Sequence, residues 1–228
     1  MIPLFDNVPV RRFSIVTYAL IAANLLVFVW ELGARGSRID DYAFYPCAVR
    51  GPCVGPAHGH LAWPEGVLTS MFLHASWLHV LGNMLFLWIF GNNVEDVMGR
   101  LRFLVFYVAS GFAAALAQTW VTLHYAGEHA ASVPMVGASG AIAGVLGAYI
   151  VLLPGASVLT LIGFFFVPVP AFFFLGVWFL LQLWEGGFAV THPQPGGGVA
   201  FFAHVFGFAF GALTVRALAV RPPLRPAW

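Results

Sequence analysis

Lysine is missing from this chain of 228 residues, and charge of either sign is scarce: Asp, Glu and Arg together make up 8% of it, against roughly 25% in an ordinary soluble domain. With 61% of residues hydrophobic, that scarcity excludes a solvated globule and points to an integral membrane protein. All ten basic residues are arginine, which reads as genomic bias rather than mechanism. A net charge of +1 gives no footing for nucleic-acid binding. Cysteine is almost as scarce. Cys47 and Cys53 are too few for a disulfide framework. Both fall in one loop, where they are either a single small bridge, if that loop faces an oxidising space, or two free thiols.

What the chain does have is apolar length. Six stretches, near 14–32, 76–94, 102–122, 138–153, 165–184 and 200–219, approach the roughly 20 residues that a spanning helix needs. The fourth is short and ends at Pro154–Gly155. The first follows Arg11 and Arg12 as a signal peptide would, but its apolar run exceeds a signal core and no small-residue cleavage site follows, so a retained helix is expected. Arginine placement orients the set. With a cytoplasmic N-terminus the inner segments hold Arg11, Arg12, Arg100, Arg102, Arg216, Arg221 and Arg225, and the outer loops hold only Arg35, Arg38 and Arg50. The expected fold class is therefore an all-α membrane bundle of six helices with both termini cytoplasmic: a tail over 1–12, a membrane domain over 13–220 and a second tail over 221–228.

In that topology the second, fourth and sixth stretches all start at the outer face. His79 and Asn83, four apart, share a helix face near the start of the second. Ser139 opens the fourth, and His204 lies in the first turns of the sixth. All four then occupy one layer within about 10 Å of the outer surface. Polar and ionisable groups are costly in lipid and functional by default. A serine hydroxyl is a weak nucleophile until a base takes its proton, and His204 is the candidate base. A tetrahedral oxyanion needs preorganised donors, which His79, Asn83 and the Ser139 backbone N–H can supply; one such donor is worth about 2.7–4 kcal/mol of transition-state stabilisation. Gly137 and Gly140 flank Ser139 and let a substrate backbone approach. The remaining intramembrane stretches hold no Asp or Glu that could orient His204, so the expected machinery is a dyad.

Plainer readings exist for each piece. The Gly137–Gly147 segment is also a small-residue stripe of the kind that packs membrane helices, and the same explanation suffices for Gly207 and Gly211, which bring the sixth helix against the fourth. His79 with Asn83 would serve equally as a hydrogen-bonded cross-link. The shared depth of Ser139, His204, His79 and Asn83 is what favours chemistry over packing.

Taken together, His74-x4-His79-x3-Asn83, Gly137-Ala138-Ser139-Gly140 and Ala203-His204-x2-Gly207-x3-Gly211 resemble the rhomboid intramembrane serine proteases, over about residues 12–219. The resemblance implies Ser139 as nucleophile, His204 as general base, and His79, Asn83 and the Ser139 N–H as the oxyanion hole. It further implies that His74 ties the long first loop to the second helix and that Glu95 is an inner-end packing residue. No metal or cofactor is expected. The partners implied are transmembrane proteins as substrates and the surrounding bilayer. The size of the chain leads us to expect the plasma membrane of a bacterium, with an organelle membrane as the alternative. The alternative is a non-proteolytic rhomboid-like binder or chaperone of transmembrane helices. A transporter is disfavoured, because no internal repeat with paired broken helices is present.

Two departures from the family pattern stand out. Glu65–Gly66, with Trp63 upstream, replaces a common Trp-Arg pair in the first loop. Ala143 stands where an aromatic residue often packs on the catalytic imidazole, which leaves Phe201, Phe202 or Phe206 to hold His204, or a less firmly held ring. His58 and His60 make a weak metal pair, while His124, His129 and His192 read as solvated. The Glu185–Gly198 segment is expected to be a flexible loop over the site which, by the same resemblance, gates access together with the fifth helix. Trp63, Trp77, Trp120 and Trp184 fall where an interfacial aromatic belt is expected.

Overall fold

The structure is a computed structural model, and it describes residues 1–33, 38–51, 53, 61–191 and 200–227. Strand β1 (Ile2–Asp6) leads into helix α1 (Ile15–Leu32). A long connection then carries the short helices α2 (Arg38–Tyr42) and α3 (Trp63–Ser70). Helix α4 (Trp77–Met98) turns at Gly99 into α5 (Arg100–Val121), which continues through a π-helical turn at Thr122–Ala126 to the short α6 (Gly127–Ala131). Helix α7 (Ser139–Leu152), strands β2 (Ser157–Ile162) and β3 (Phe165–Pro170), and helices α8 (Ala171–Thr191) and α9 (Phe201–Leu218) complete the order. Arg35, His58, His60, His192 and the glycines at 196–198 lie outside the described residues.

Of the six spans expected, four described helices are long and apolar enough to cross a membrane: α1, α5 extended to Ala126, α8 and α9. Helix α4 has the length, but Asn92, Asn93, Glu95 and Asp96 crowd its last two turns. Helix α7 is apolar but only 14 residues long, or about 21 Å at 1.5 Å per residue. It tolerates that length because it is the central post, packed by α4, α5 and α9, with every residue from Ala141 to Tyr149 buried. A helix enclosed by protein satisfies its ends without reaching both lipid interfaces.

The tightest packing joins α7 to α9. A Cβ added at Gly211 would collide with the Gly144 carbonyl oxygen, one at Gly207 with that of Gly140, and one at Gly147 with that of Phe208. Small residues thus let the two backbones meet directly, gaining dispersion contacts where lipid offers no hydrophobic drive to pair helices.

The all-α expectation fails at the other end of the bundle. A three-stranded antiparallel sheet, in the order β1-β2-β3, joins the N-terminus to the connection between α7 and α8. Residues 165–170, expected as the start of a helix, are its edge strand. Pro168 and Pro170 explain the difference, since two prolines two apart break a helix but are tolerated at a sheet edge. The fifth helix accordingly starts late and runs to Thr191, so residues 185–191, expected in a loop, are helical.

The terminal segments, expected as tails, are tied in at this same end. Arg11 pairs with Asp96 at 2.7 Å and donates to the Pro222 carbonyl, while the N–H groups of Val220 and Arg221 reach the Val97 carbonyl. The Ala227 N–H donates to the Asn7 carbonyl. Ser14, at the N-cap of α1, makes no side-chain cap; instead the buried Glu95 carboxylate of α4 accepts from the Val16 N–H, the Thr17 N–H and the Thr17 hydroxyl. A carboxylate at a helix N-terminus satisfies orphan donors and complements the dipole. Asp6 receives Tyr149 Oη–H and Asn93 Nδ2–H, and burial raises its carboxyl above the usual range despite those donors.

Gly211→Ala should destabilise the protein by about 3 kcal/mol, the upper end of overpacking costs. Gly82→Ala and Gly176→Ala, at helix positions where a Cβ meets nothing within 4 Å, should leave the thermal midpoint in detergent within a degree or two of wild type.

Candidate active site

Ser139 is the first residue of α7, so its own N–H belongs to the turn whose donors have no intrahelical partner. His204 lies one turn into α9. The glycine contacts between the two helices bring these positions together, and His204 Nε2 stands 2.7 Å from Ser139 Oγ. Two amides set the imidazole's place. The Gln118 side-chain oxygen, from α5, accepts from the Ala203 N–H in the otherwise uncapped first turn of α9. The Gln182 side-chain oxygen, from α8, lies 2.7 Å from His204 Nδ1. An amide oxygen only accepts, so Nδ1 carries the proton and Nε2 is left to accept from the Ser139 hydroxyl.

His79 and Asn83 lie over Gly137. That glycine has φ +117°, a backbone region costly for residues with a Cβ. A methyl there would lie 2.7 Å from His79 Nε2 and 3.7 Å from Asn83 Nδ2. The two donors expected for an oxyanion therefore lie close over the residue that leads into Ser139. Asn83 is held from behind: its Nδ2–H donates to His74 Nε2 at 2.9 Å, while His74 Nδ1–H points at the Phe72 carbonyl. The two contacts agree on one tautomer and leave the second Asn83 N–H without a partner among the described residues. The His74 backbone N–H donates to the Glu31 carboxylate at the end of α1, and its ring packs edge-on against His79. His74 thus ties α1 to the entry of α4. Glu95 stands at the opposite end of α4, about 24 Å further along its axis, and takes no part in this cluster. A cavity of about 40 Å³ opens beside Ser139, walled by small residues such as Gly137, Gly140 and Ala203 and by the larger Phe44, Met71 and Met135.

The ring against His204 is neither Phe201, Phe202 nor Phe206. It is Trp178 of α8, with centroids 5.9 Å apart. Sequence reasoning missed Trp178, Gln118 and Gln182. For Gln182 a signal was present: it is the one amide in the apolar run from Ala171 to Trp184. In the first connection Cys47 and Cys53 are joined. Thr69 donates its hydroxyl to the Tyr42 carbonyl, and Gly66 backs onto the Ala43–Phe44 backbone. An exchange of backbone hydrogen bonds between Phe44 and Met135 then ties that connection to the segment before Ser139.

Fold and site together define a helical protein with spans of membrane-crossing length, built around a serine–imidazole contact. Residues 62–221 match the family model for the rhomboid domain, and the chain belongs to the rhomboid family. It is 27% identical to the Saccharomyces cerevisiae "Rhomboid protein 1, mitochondrial" over 92% of this chain and 56% of the relative. It is 30% identical to the Bacillus subtilis "Putative rhomboid protease YdcA" over 62% and 63%, and 30% identical to the human "Presenilin-associated rhomboid-like protein, mitochondrial" over 59% and 32%. The chain spans less than two thirds of the length of these relatives.

Burial, and then the neighbouring His79, hold His74 near 4 against an ordinary 6.5. Between those values the unfolded chain binds more protons than the folded one, so the stability from neutral His74 is full above pH 6.5 and lost as pH falls toward 4. The thermal midpoint should therefore fall more steeply over that interval in wild type than in His74→Gln, measured by unfolding across a pH series.

Proposed function

We propose that this chain is an intramembrane serine endopeptidase that hydrolyses peptide bonds in or beside the transmembrane helices of other proteins. The observation that carries the reading is the 2.7 Å contact between Ser139 Oγ and an imidazole nitrogen whose lone pair is free to accept. In this mechanism Ser139 Oγ attacks the scissile carbonyl carbon while its proton passes to His204 Nε2. The oxyanion is met by the Ser139 N–H at the start of α7, His79 and Asn83. His204 then returns the proton to the departing amine, leaving an ester on Ser139. Water, deprotonated by the same imidazole, hydrolyses that ester.

Substrate character follows from the surroundings. Helical amides in lipid are already internally bonded, so a substrate must unwind locally, which favours Gly, Ala or Pro near the scissile bond. The cavity of about 40 Å³ beside Ser139 has room for a methyl-sized side chain or a few waters, at about 10–15 Å³ of such space for each.

For topology, we propose six membrane-embedded helices (α1, α4, α5, α7, α8 and α9), with the site near the outer face and both termini on the arginine-rich inner side. The Cys47–Cys53 bridge supports an outer, oxidising exposure of the first connection. The arginine bias, and the gathering of both terminal segments at the end of α4 away from Ser139, support the rest. Relatives named as mitochondrial, and one named as chloroplastic, stand beside the one from Bacillus, so the bacterial plasma membrane expected from sequence gains no support, and the proposal stops at a multi-pass membrane position.

A fluorophosphonate probe tests the reading. Purified wild type should label, and should cleave a transmembrane reporter, whereas Ser139→Ala and His204→Asn should do neither. A folded wild type that binds the reporter yet never labels or cleaves it would make the chain a helix-binding protein instead. Activity should fall on the acid side as His204 protonates and can no longer act as base. Asn83→Ala should lower kcat by about 10²–10³ if its free N–H serves the oxyanion, as read from reporter cleavage under saturating substrate.

A further inference from the structure

Two side chains one turn apart on α8 close around the His204 ring. Gln182 Oε1 is 2.7 Å from Nδ1, and the Trp178 indole lies 5.9 Å from the imidazole, centroid to centroid, with the rings inclined by 37°. Residues four apart share a helix face, so a single face of α8 provides both a hydrogen-bond acceptor and an aromatic wall. Helix α7 offers no such wall, because Ala143 presents only a methyl group. Trp178 also packs against Phe208, one turn beyond His204, which fixes the indole's tilt. One turn past Gln182, a Cβ on Gly186 would meet Phe201 Cβ at 3.2 Å and the Phe202 ring at 3.3 Å. The glycine lets α8 approach α9 closely at the level of the dyad. The start of α8 is anchored by the buried Ala171, Phe174 and Leu175, whereas Leu180, Leu181, Leu183 and Trp184 further along are exposed, and its helix contacts are chiefly with α9 and only slightly with α7.

We propose that Trp178 and Gln182 are positioning residues that hold His204 with Nδ1 protonated and Nε2 facing Ser139, so that the base is competent only while α8 is docked on α9. The inference rests on the peptidase reading and adds to it a condition on when the dyad works. The acceptor is neutral, which matters. When Nε2 takes the Ser139 proton, the ring becomes a cation and its Nδ1–H bond to the Gln182 oxygen strengthens. A carboxylate in the same place would stabilise the cation more and keep the ring protonated to higher pH. With α8 displaced, both contacts are lost together; the imidazole can then turn about its side-chain torsions and move its proton to Nε2. Around His204 the facing groups are His79 from α4, which titrates, Ser139 from α7 and Gln118 from α5, with Glu185 exposed on α8.

The test uses full-length protein in proteoliposomes with a transmembrane reporter substrate. Gln182→Ala should lose about tenfold in kcat with KM unchanged, the worth of one neutral hydrogen bond. Gln182→Glu should keep most of the plateau rate while its acid limb moves to higher pH, a displacement that a merely structural side chain would not produce. Gly186→Val, which forces α8 off α9, should lose at least as much kcat as Gln182→Ala, and Trp178→Phe should retain more activity than Trp178→Ala. A readout independent of turnover is the ¹⁵N spectrum of histidine-labelled protein, with the His204 signals identified by their loss in His204→Asn. Wild type should show a single Nδ1–H tautomer and Gln182→Ala a mixture. The proposal is overturned if Gln182→Ala keeps the wild-type kcat, acid limb and tautomer. A wild type with no activity whose tautomer still depends on Gln182 would retain the ring-holding contact and refute the peptidase reading, so the two failures are distinguishable.

Discussion

The structure depends on how closely α7 and α9 approach. With glycine at 147, 207 and 211 the two backbones touch, and that contact, rather than any feature of Ser139 or His204 themselves, sets the separation between hydroxyl and imidazole. Lipid supplies no hydrophobic drive for pairing two apolar helices, so fit at the backbone has to supply the adhesion. Because α7 is buried on every side, the same contact also fixes the register of the central post against α4 and α5. A hydrogen bond of 2.7 Å tolerates little sliding, and one extra methyl between the helices is already comparable to the whole tolerance.

Around that axis the polar groups form two separate layers. At one end His74, His79, Asn83, Gln118 and Gln182 each have a protein neighbour that sets an orientation. At the other, Glu95 completes the first turn of α1, Asp96 holds Arg11, and Asp6 gathers Tyr149 and Asn93. Charges are thus paired or bonded where they are buried, as the low dielectric demands. The layers have different characters. The layer that holds Glu95 and Asp96 is ionic and brings both terminal segments together, while the layer around Ser139 and His204 is built almost wholly of neutral donors and acceptors.

Much of this is legible in the sequence, for a physical reason. Polar residues inside apolar runs carry a strong signal because lipid makes them costly, so Ser139, His204, His79 and Asn83 stand out, and their common depth follows from counting residues per span. The apolar stretches themselves mark α1, α4, α5, α7 and α9 to within a few residues. The sheet is less legible, because FFVPVP is apolar enough to extend a helix in any composition count; the prolines at 168 and 170 are the contrary sign. The support of His204 is hidden for another reason. Which ring meets the imidazole depends on the rotation of α8 about its axis, which spacing along the chain does not encode, and Phe201, Phe202 and Phe206 are near in sequence yet turned elsewhere. Glu95 reads as a packing residue until the missing cap at Ser14 is seen.

The sheet adds one mechanical property. Its middle strand is bonded on one side to residues 2–6 and on the other to the strand that runs directly into α8. Tension applied at the N-terminal strand is therefore carried through two rows of backbone hydrogen bonds to the foot of that helix. Pulled in shear, such rows resist together instead of unzipping one at a time. The polypeptide's beginning and the helix that contacts the His204 ring are in this way joined as two ends of one lever.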